Sequence, residues 1–250
     1  MVAVDIDSLY LRFLTRHTVV NNDCCYISLI FRGEFSAFAH AHLESFVYIF
    51  RTMDENTRVL LLGHSFISRL DRELGSTLPE GFNLKQCDIR CFGVSGGRAE
   101  SFVVNQDTRL RRVLHSFQPA VLILQIGGND LNDPDTRPET VACHIVELME
   151  CLMSYKSIKV GVVCELFIRH RPRGISPQAY GEKSLLINRM LPTLLSASDY
   201  NHMFFWKHRR LMNSPLNVLG EDGVHLSELG YKKFYRSLRL AILHALELIE

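Results

Sequence analysis

Residues 120–126, with the sequence AVLILQI, form the most strand-like stretch of the chain. A run this short and this apolar is typical of a strand that is covered on both faces, as in a parallel sheet between two layers of helices. Residues 59–63, with the sequence VLLLG, have the same character. These two runs predict a buried parallel sheet.

Strand and helix patterns alternate along the rest of the chain. The predicted strands are residues 59–63, 84–92, 120–126, 158–164 and 202–206. The predicted helices are residues 66–74, 100–117, 138–153, 182–196 and 228–249, and Pro192 is expected to end or bend the fourth of them. Strands separated by helices imply parallel pairing through right-handed crossovers, so we expect an α/β fold, a three-layer α/β/α sandwich.

The character of the sequence changes near residues 53–56, because no clear periodicity precedes them. We therefore predict a domain over residues 57–250 and an N-terminal extension over residues 1–56. The extension could be an added layer, an appended interaction segment or poorly ordered sequence, and its residues do not decide between these alternatives.

Composition and charge exclude several classes of function. The chain has 28 Lys and Arg against 27 Asp and Glu, which gives no overall field suited to nucleic acid or acidic lipid. Its seven cysteines show neither a CxxC pair nor metal-ligand spacing, so we expect reduced thiols and no metal. The apolar run at 24–50 contains Arg32, Glu34 and Glu44, which argues against a membrane span. The N-terminus carries two aspartates, at positions 5 and 7, where a signal peptide would be basic. Together, these features predict a cytoplasmic protein.

Four short blocks carry side chains suited to ester hydrolysis: GHS at 63–65, GVSGG at 93–97, GGND at 127–130 and DGVH at 222–225. Each block opens or closes a predicted element, where an α/β sheet collects its ligand-binding groups. Ser65 follows a strand and precedes a helix, so its hydroxyl is expected at the carboxyl edge of the sheet, as the nucleophile. The alternative for Ser65 taken alone is a simple helix N-cap.

The glycine-rich turn and Asn129 predict an oxyanion hole. Glycine lets the backbone approach a ligand closely, so the N–H of Gly96 could be presented to it. With the amide of Ser65 and the carboxamide of Asn129, this makes three candidate donors to one oxygen. The alternative for these residues is ordinary turn chemistry.

Asp222 and His225 complete the predicted machinery. In a tight turn, their spacing lets the carboxylate reach one ring nitrogen while the other nitrogen faces Ser65. The imidazole could then take the serine proton and return it to the leaving group.

From about residue 57 to its end the chain resembles the SGNH, or GDSL-type, hydrolase superfamily. The four residues that name the superfamily match Ser65, Gly96, Asn129 and His225, and Asp222 matches its acid. The resemblance implies a flavodoxin-like sheet of five parallel strands in the order 2-1-3-4-5. It also implies cofactor-free hydrolysis of a small-molecule or lipid acyl ester through an acyl-serine intermediate.

One residue departs from the pattern of the superfamily. An Asp usually precedes the nucleophile, whereas this chain has His64. The competing hypothesis is therefore a catalytically impaired binding module, and related domains occur inside some retrotransposon-encoded proteins.

Two further side chains are candidates for substrate binding. Arg98 follows the glycine turn, and His170 lies in the basic stretch 169–173 after the fourth strand, where it could hold an anionic group. The alternative for both is a solvated position. Nucleic-acid binding through the basic runs is disfavoured by the balanced charge and by the lack of a recognition motif.

Overall fold

The computed structural model describes residues 57–105, 108–209, 211 and 218–249. The extension predicted at residues 1–56 lies outside these residues. The described part contains one five-stranded sheet with the order β2-β1-β3-β4-β5, and every strand pair in it is parallel. Its strands are β1 (Thr57–Gly63), β2 (Cys87–Gly93), β3 (Val121–Gln125), β4 (Val160–Cys164) and β5 (Met203–Trp206). The predicted sheet and its order are confirmed.

Helices cover both faces of this sheet. They are α1 (Ser65–Glu73), α2 (Ala99–Asn105), α3 (Thr108–Phe117), α4 (Pro138–Met153), α5 (Pro177–Ser196) and α6 (Glu228–Glu247). Side chains alternate between the faces along each strand, so Leu60 and Leu62 pack with residues of α2 to α5. Val59 and Leu61 pack on the other face with residues of α1 and α6. This arrangement confirms the three-layer α/β/α sandwich.

Two points concern the predicted helices. The single helix expected over residues 100–117 stays a prediction, because residues 106–107, between α2 and α3, lie outside the described part of the chain. Pro192 does not end its helix, since α5 continues to Ser196.

The strand ends that precede the first three blocks lie side by side. Gly63, the last residue of β1, is paired with Gly93 of β2 and with Gln125 of β3. Both glycines allow close approach: a Cβ at Gly63 would meet the carbonyl oxygen of Gln125 at 2.2 Å, and one at Gly93 would meet the backbone nitrogen of Ser68 at 2.2 Å. The register therefore brings the loops after β1, β2 and β3 to one edge of the sheet.

Candidate active site

Ser65 is the first residue of α1 and directly follows the turn after β1. The preceding residue, His64, is the N-cap, and its Nδ1 accepts a long hydrogen bond of 3.4 Å from the N–H of Phe66. The first N–H groups of a helix have no acceptor within the helix, so the amide of Ser65 remains available to a ligand. Ser65 is 8% exposed, so it is largely buried and does not lie on an open surface.

The structure brings Ser65 together with Asp222 and His225. Nε2 of His225 lies 3.0 Å from Oγ of Ser65, and Nδ1 of His225 lies 2.6 Å from Oδ2 of Asp222. Because the carboxylate accepts the proton on Nδ1, Nε2 is left with a lone pair directed at the serine hydroxyl. The three side chains form the hydrogen-bonded chain that the sequence predicted.

The Asp222 carboxylate is held by more than the imidazole. Its Oδ1 accepts hydrogen bonds from the backbone N–H groups of Val224 (2.9 Å) and His225 (2.8 Å). Partial burial by itself raises the pKa of Asp222, but the hydrogen bonds from the ring and the backbone outweigh it, and the pKa lies well below its usual range. Asp222 is therefore a carboxylate at neutral pH, as a group that stabilises an imidazolium must be.

Gly96 and Asn129 lie on the two neighbouring loops. Gly96 has a φ of 77°, in the left-handed region that glycine tolerates, and its N–H has no acceptor among the described residues. Its turn is held against β1 by a 2.9 Å hydrogen bond from the N–H of Val94 to the carbonyl of Gly63. Nδ2 of Asn129 donates to the carbonyl of Gly97 at 3.0 Å, which links the two loops; the second N–H of the carboxamide has no acceptor within the described part of the chain.

Arg169 is buried, at 4% exposure, although the sequence left it in a stretch that could have been fully solvated. One guanidinium nitrogen, Nη2, donates to Oδ1 of Asn129 at 2.9 Å, and Nη1 donates to Oδ1 of Asn132 at 3.3 Å. The guanidinium also lies 5.3 Å from the ring centroid of Tyr180. Arg169 is therefore not a solvated residue of the basic stretch 169–173.

The two predicted substrate-binding residues, Arg98 and His170, are both exposed. The backbone N–H of His170 donates to the carbonyl of Gly223 at 2.7 Å, and the N–H of Arg171 donates to the same oxygen at 3.1 Å. These bonds attach the loop after β4 to the turn that carries Asp222. Binding of substrate by either side chain stays a prediction.

Sequence reasoning missed two neighbours of the site. Nη2 of Arg69 lies 4.0 Å from Oδ2 of Asp222, and the hydroxyl of Tyr180 donates to the carbonyl of Gly128 at 3.0 Å. The helical spacing of four between Ser65 and Arg69 is a signal that could have placed Arg69 on the same face of α1. No comparable signal marks Tyr180.

A second buried histidine, His208, lies in a polar network beneath the site. Its Nε2 is 3.1 Å from Oε1 of Gln125 and its Nδ1 is 2.8 Å from Oγ of Ser237. Its ring packs against Phe167 and Phe234. Burial lowers the pKa of His208 to about 3, so the ring is neutral and acts as a structural hydrogen-bonding group.

Within the described residues, no group of three or more His, Cys, Asp or Glu side chains is arranged to hold a metal ion. None of the helices in this part of the chain has the length and apolar character needed to cross a membrane.

Residues 58–233 match the model of the GDSL-like lipase/acylhydrolase family, which is more than half of the chain. The chain belongs to this family. A comparison with curated proteins found no match. Membership agrees with the site geometry, because the matched region contains Ser65, Gly96, Asn129, Asp222 and His225.

Solved structures share the fold of this GDSL-like acylhydrolase. A GDSL-like lipase from Bacteroides thetaiotaomicron superposes with a TM-score of 0.56 at 19% identity, over 85% of this chain and 100% of the other. Family 3 carbohydrate esterases from Talaromyces cellulolyticus (TM-score 0.55, 13% identity) and Clostridium thermocellum (0.54, 20%) each match 76% of this chain and 98% of their own. At these identities the likeness establishes the fold alone.

His64 occupies the position where the superfamily usually has an acid. The side chain is buried, and its Nε2 lies 3.3 Å from where a Cβ on Gly128 would stand. Burial, together with the charges of Arg169 and His225, lowers the pKa of His64 to about 3. A neutral ring whose Nδ1 already accepts a backbone N–H is suited to bracing the turn and poorly suited to acting as a base.

Proposed function

We propose that this GDSL-like acylhydrolase is a serine esterase that cleaves a carboxylic ester through an acyl-enzyme on Ser65. The observation that carries the proposal is the chain of contacts from Oγ of Ser65 through the His225 ring to Asp222, at 3.0 and 2.6 Å. A base within hydrogen-bond reach of a hydroxyl, itself oriented by a carboxylate, is the arrangement that nucleophilic catalysis by serine requires.

The first half of the reaction transfers the acyl group to the enzyme. Nε2 of His225 takes the proton from Oγ of Ser65 while that oxygen forms a bond to the carbonyl carbon. The N–H groups of Ser65 and Gly96 and the carboxamide of Asn129 donate to the resulting oxyanion. When the oxyanion collapses, the bond to the alcohol oxygen breaks, and the alcohol leaves with the proton from His225.

The second half restores the enzyme with water in place of the alcohol. His225 removes a proton from water as the water oxygen attacks the acyl carbon. Collapse of the second oxyanion releases the carboxylic acid and returns the proton to Oγ of Ser65. Asp222 remains ionised throughout and stabilises the imidazolium formed in each half.

The substrate class that we propose is a small acyl ester, such as an acetylated sugar or a lipid ester. The structural neighbours described as carbohydrate esterases and as a GDSL-like lipase support this range. The exposed side chain of Arg98 at the edge of the glycine turn, together with His170, is the part of the surface that we expect to contact the alcohol portion.

A neutral short-chain ester, p-nitrophenyl acetate, tests the proposal directly. Wild-type protein should release nitrophenol. A Ser65→Ala variant with an unchanged melting temperature should keep only the small acceleration over the uncatalysed rate that substrate binding gives without the nucleophile. A fluorophosphonate probe should label the wild type at Ser65 and leave Ser65→Ala unlabelled. If folded wild-type protein neither hydrolyses esters nor reacts with the probe, the hypothesis of a catalytically impaired binding module is favoured, and His64 is the residue that distinguishes it from the superfamily pattern.

A further inference from the structure

A cationic side chain lies directly behind the predicted side-chain donor of the oxyanion hole. Nη2 of Arg169 donates to Oδ1 of Asn129 at 2.9 Å, and the same guanidinium donates to Asn132 through Nη1. None of the described carboxylates lies within ion-pair distance of Arg169. Its direct contacts are neutral oxygens and the ring of Tyr180, and the charges of Asp130 and Asp222 favour it only from a distance.

Such an arrangement is costly for the fold. A buried charge loses its hydration, and without an opposite charge in direct contact it recovers only part of that free energy; for Arg169, burial lowers the pKa more than the charges of Asp130 and Asp222 raise it. Nε of Arg169 is also buried without an acceptor among the described residues. A side chain with this cost, in contact with a predicted oxyanion donor, indicates a role in the reaction rather than in stability.

The contact between Arg169 and Asn129 fixes which way the carboxamide points. A guanidinium has only donors, so the atom of Asn129 that faces it must be the oxygen. The NH₂ group must then face the other way, where the carbonyl of Gly97 accepts one of its two protons at 3.0 Å. The remaining N–H has a single direction, set by two contacts on opposite sides of the amide.

We propose that Arg169 is the positioning residue of the oxyanion hole, acting through the carboxamide of Asn129 and not through contact with substrate. A charge-assisted hydrogen bond to Oδ1 holds the amide in one orientation and polarises its N–H groups, which makes the free N–H a stronger donor to developing negative charge. This proposal rests on the proposed esterase function.

The surroundings of Arg169 allow little movement of its head group. A Cβ on Gly128 would stand 3.0 Å from Nη2 of Arg169 and 3.1 Å from the hydroxyl of Tyr180, so glycine is needed here to admit both groups. The backbone N–H groups of the two residues after Arg169, His170 and Arg171, donate to the carbonyl of Gly223. The guanidinium is therefore held from several sides before substrate arrives.

A double-mutant cycle with p-nitrophenyl acetate tests this proposal. Arg169→Met should lower kcat by roughly 10²-fold with little change in KM, since a donor displaced by about 1 Å loses most of its effect on the transition state. In an Asn129→Ala background, the same Arg169→Met change should lower kcat by less than about threefold, because the amide that it positions is gone.

Two further variants keep the test decisive. Arg169→Lys retains a buried charge and one donor, so it should fold even if Arg169→Met does not. It should lower kcat less than Arg169→Met would. In the Asn129→Ala background it should again have little effect on kcat. Arg189→Met removes an arginine that is exposed on α5 and should leave kcat unchanged.

The outcomes separate this proposal from the function on which it rests. Wild-type protein without Ser65-dependent hydrolysis would overturn the esterase function itself. Active wild-type protein would instead overturn the role of Arg169 in any of three cases: if its folded variants keep wild-type kcat, if they change KM alone, or if they lower kcat equally with and without Asn129.

Discussion

The carboxylate of Asp130 accepts the backbone N–H of Ala99 through both of its oxygens, at 3.0 and 3.2 Å. Ala99 is the first residue of α2, so the contact ties the helix after the glycine turn to the loop that carries Asn129. Burial raises the pKa of Asp130, and hydrogen bonds from backbone N–H groups together with the charge of Arg98 oppose this rise. Two candidate oxyanion donors, Gly96 and Asn129, are thus connected through one buried carboxylate.

Asp130→Ala should therefore affect both stability and rate. Loss of an N-terminal cap is expected to lower the free energy of unfolding by about 1 kcal/mol. We also expect kcat to fall, because the turn that presents Gly96 loses its attachment to the Asn129 loop. Denaturant unfolding and ester hydrolysis measure the two effects, with the exposed Asp135→Ala as the matched control. If Asp130→Ala and Asp135→Ala had the same free energy of unfolding and the same kcat, Asp130 would not brace the two loops.

Asn129→Asp separates the donor role of this residue from its packing. The substitution keeps the size of the side chain and gives Arg169 a carboxylate to contact, but it removes both N–H groups. We expect kcat to fall at least as far as in Asn129→Ala, by ~10²–10³, with a smaller change in KM. If Asn129→Asp retained wild-type kcat, Asn129 would not be a donor to the oxyanion.

Buried histidines should make the protein sensitive to acid. The pKa values of His64 and His208 are lowered from 6.5 to about 3, so the unfolded chain binds their protons at a higher pH than the folded one. Above pH 6.5 both rings are neutral in either state and add no pH dependence. As the pH falls from about 6.5 toward 3 the folded state loses stability, by up to about 1.4 kcal/mol per pH unit for each ring.

Urea unfolding between pH 4.5 and 7.5 measures this effect. The variant His208→Gln removes one of the two rings, so its free energy of unfolding should fall less steeply below pH 6.5 than that of the wild type. The comparison is of slopes, since the variant also loses packing against Phe167 and Phe234. Identical slopes in the two proteins would mean that His208 is not a neutral buried ring.

His64→Asp tests the departure from the pattern of the superfamily. An Asp is a favourable N-cap, and at this position it would lie beside the charge of Arg169, so we expect kcat to be kept or raised. The measurement is kcat for His64→Asp beside that for His225→Ala, which should fall by about 10²–10⁴. A greater loss in His64→Asp would reassign the base from His225 to His64.

The sheet was predictable because its strands are buried on both faces and are therefore uniformly apolar. β3 and β4 differ from their predicted ranges by at most two residues at either end. β2 is the exception: it begins at Cys87 and not at residue 84, because it is an edge strand in which polar and apolar residues are mixed. The order of the strands came from the resemblance to the superfamily and not from the apolar pattern.

The residues of the candidate site could be proposed from the sequence where a short motif follows a strand, as for Ser65, or precedes a helix, as for His225. The burial of Arg169 was not predictable, since one arginine among the basic residues at 169–173 has no distinguishing neighbour in the sequence. The burial of Arg169 depends on tertiary contacts with Asn129, Asn132 and Tyr180, and these residues lie up to 40 positions away in the sequence. The apolar residues at 166–168, which follow β4 at the carboxyl edge of the sheet, are the one hint of its location.

The loop after β4 joins the two halves of the candidate active site. Arg169 contacts the Asn129 loop, and the N–H groups of His170 and Arg171 both donate to Gly223 in the turn of Asp222. None of these bonds belongs to the ladder of the sheet. Arg169→Met combined with His170→Pro and Arg171→Pro removes these donors, and it should leave all five strands paired while detaching the turn of Asp222 from the Asn129 loop. Such a variant should keep its circular dichroism spectrum and lose its turnover, so catalytic integrity and folded integrity are separable at this one loop.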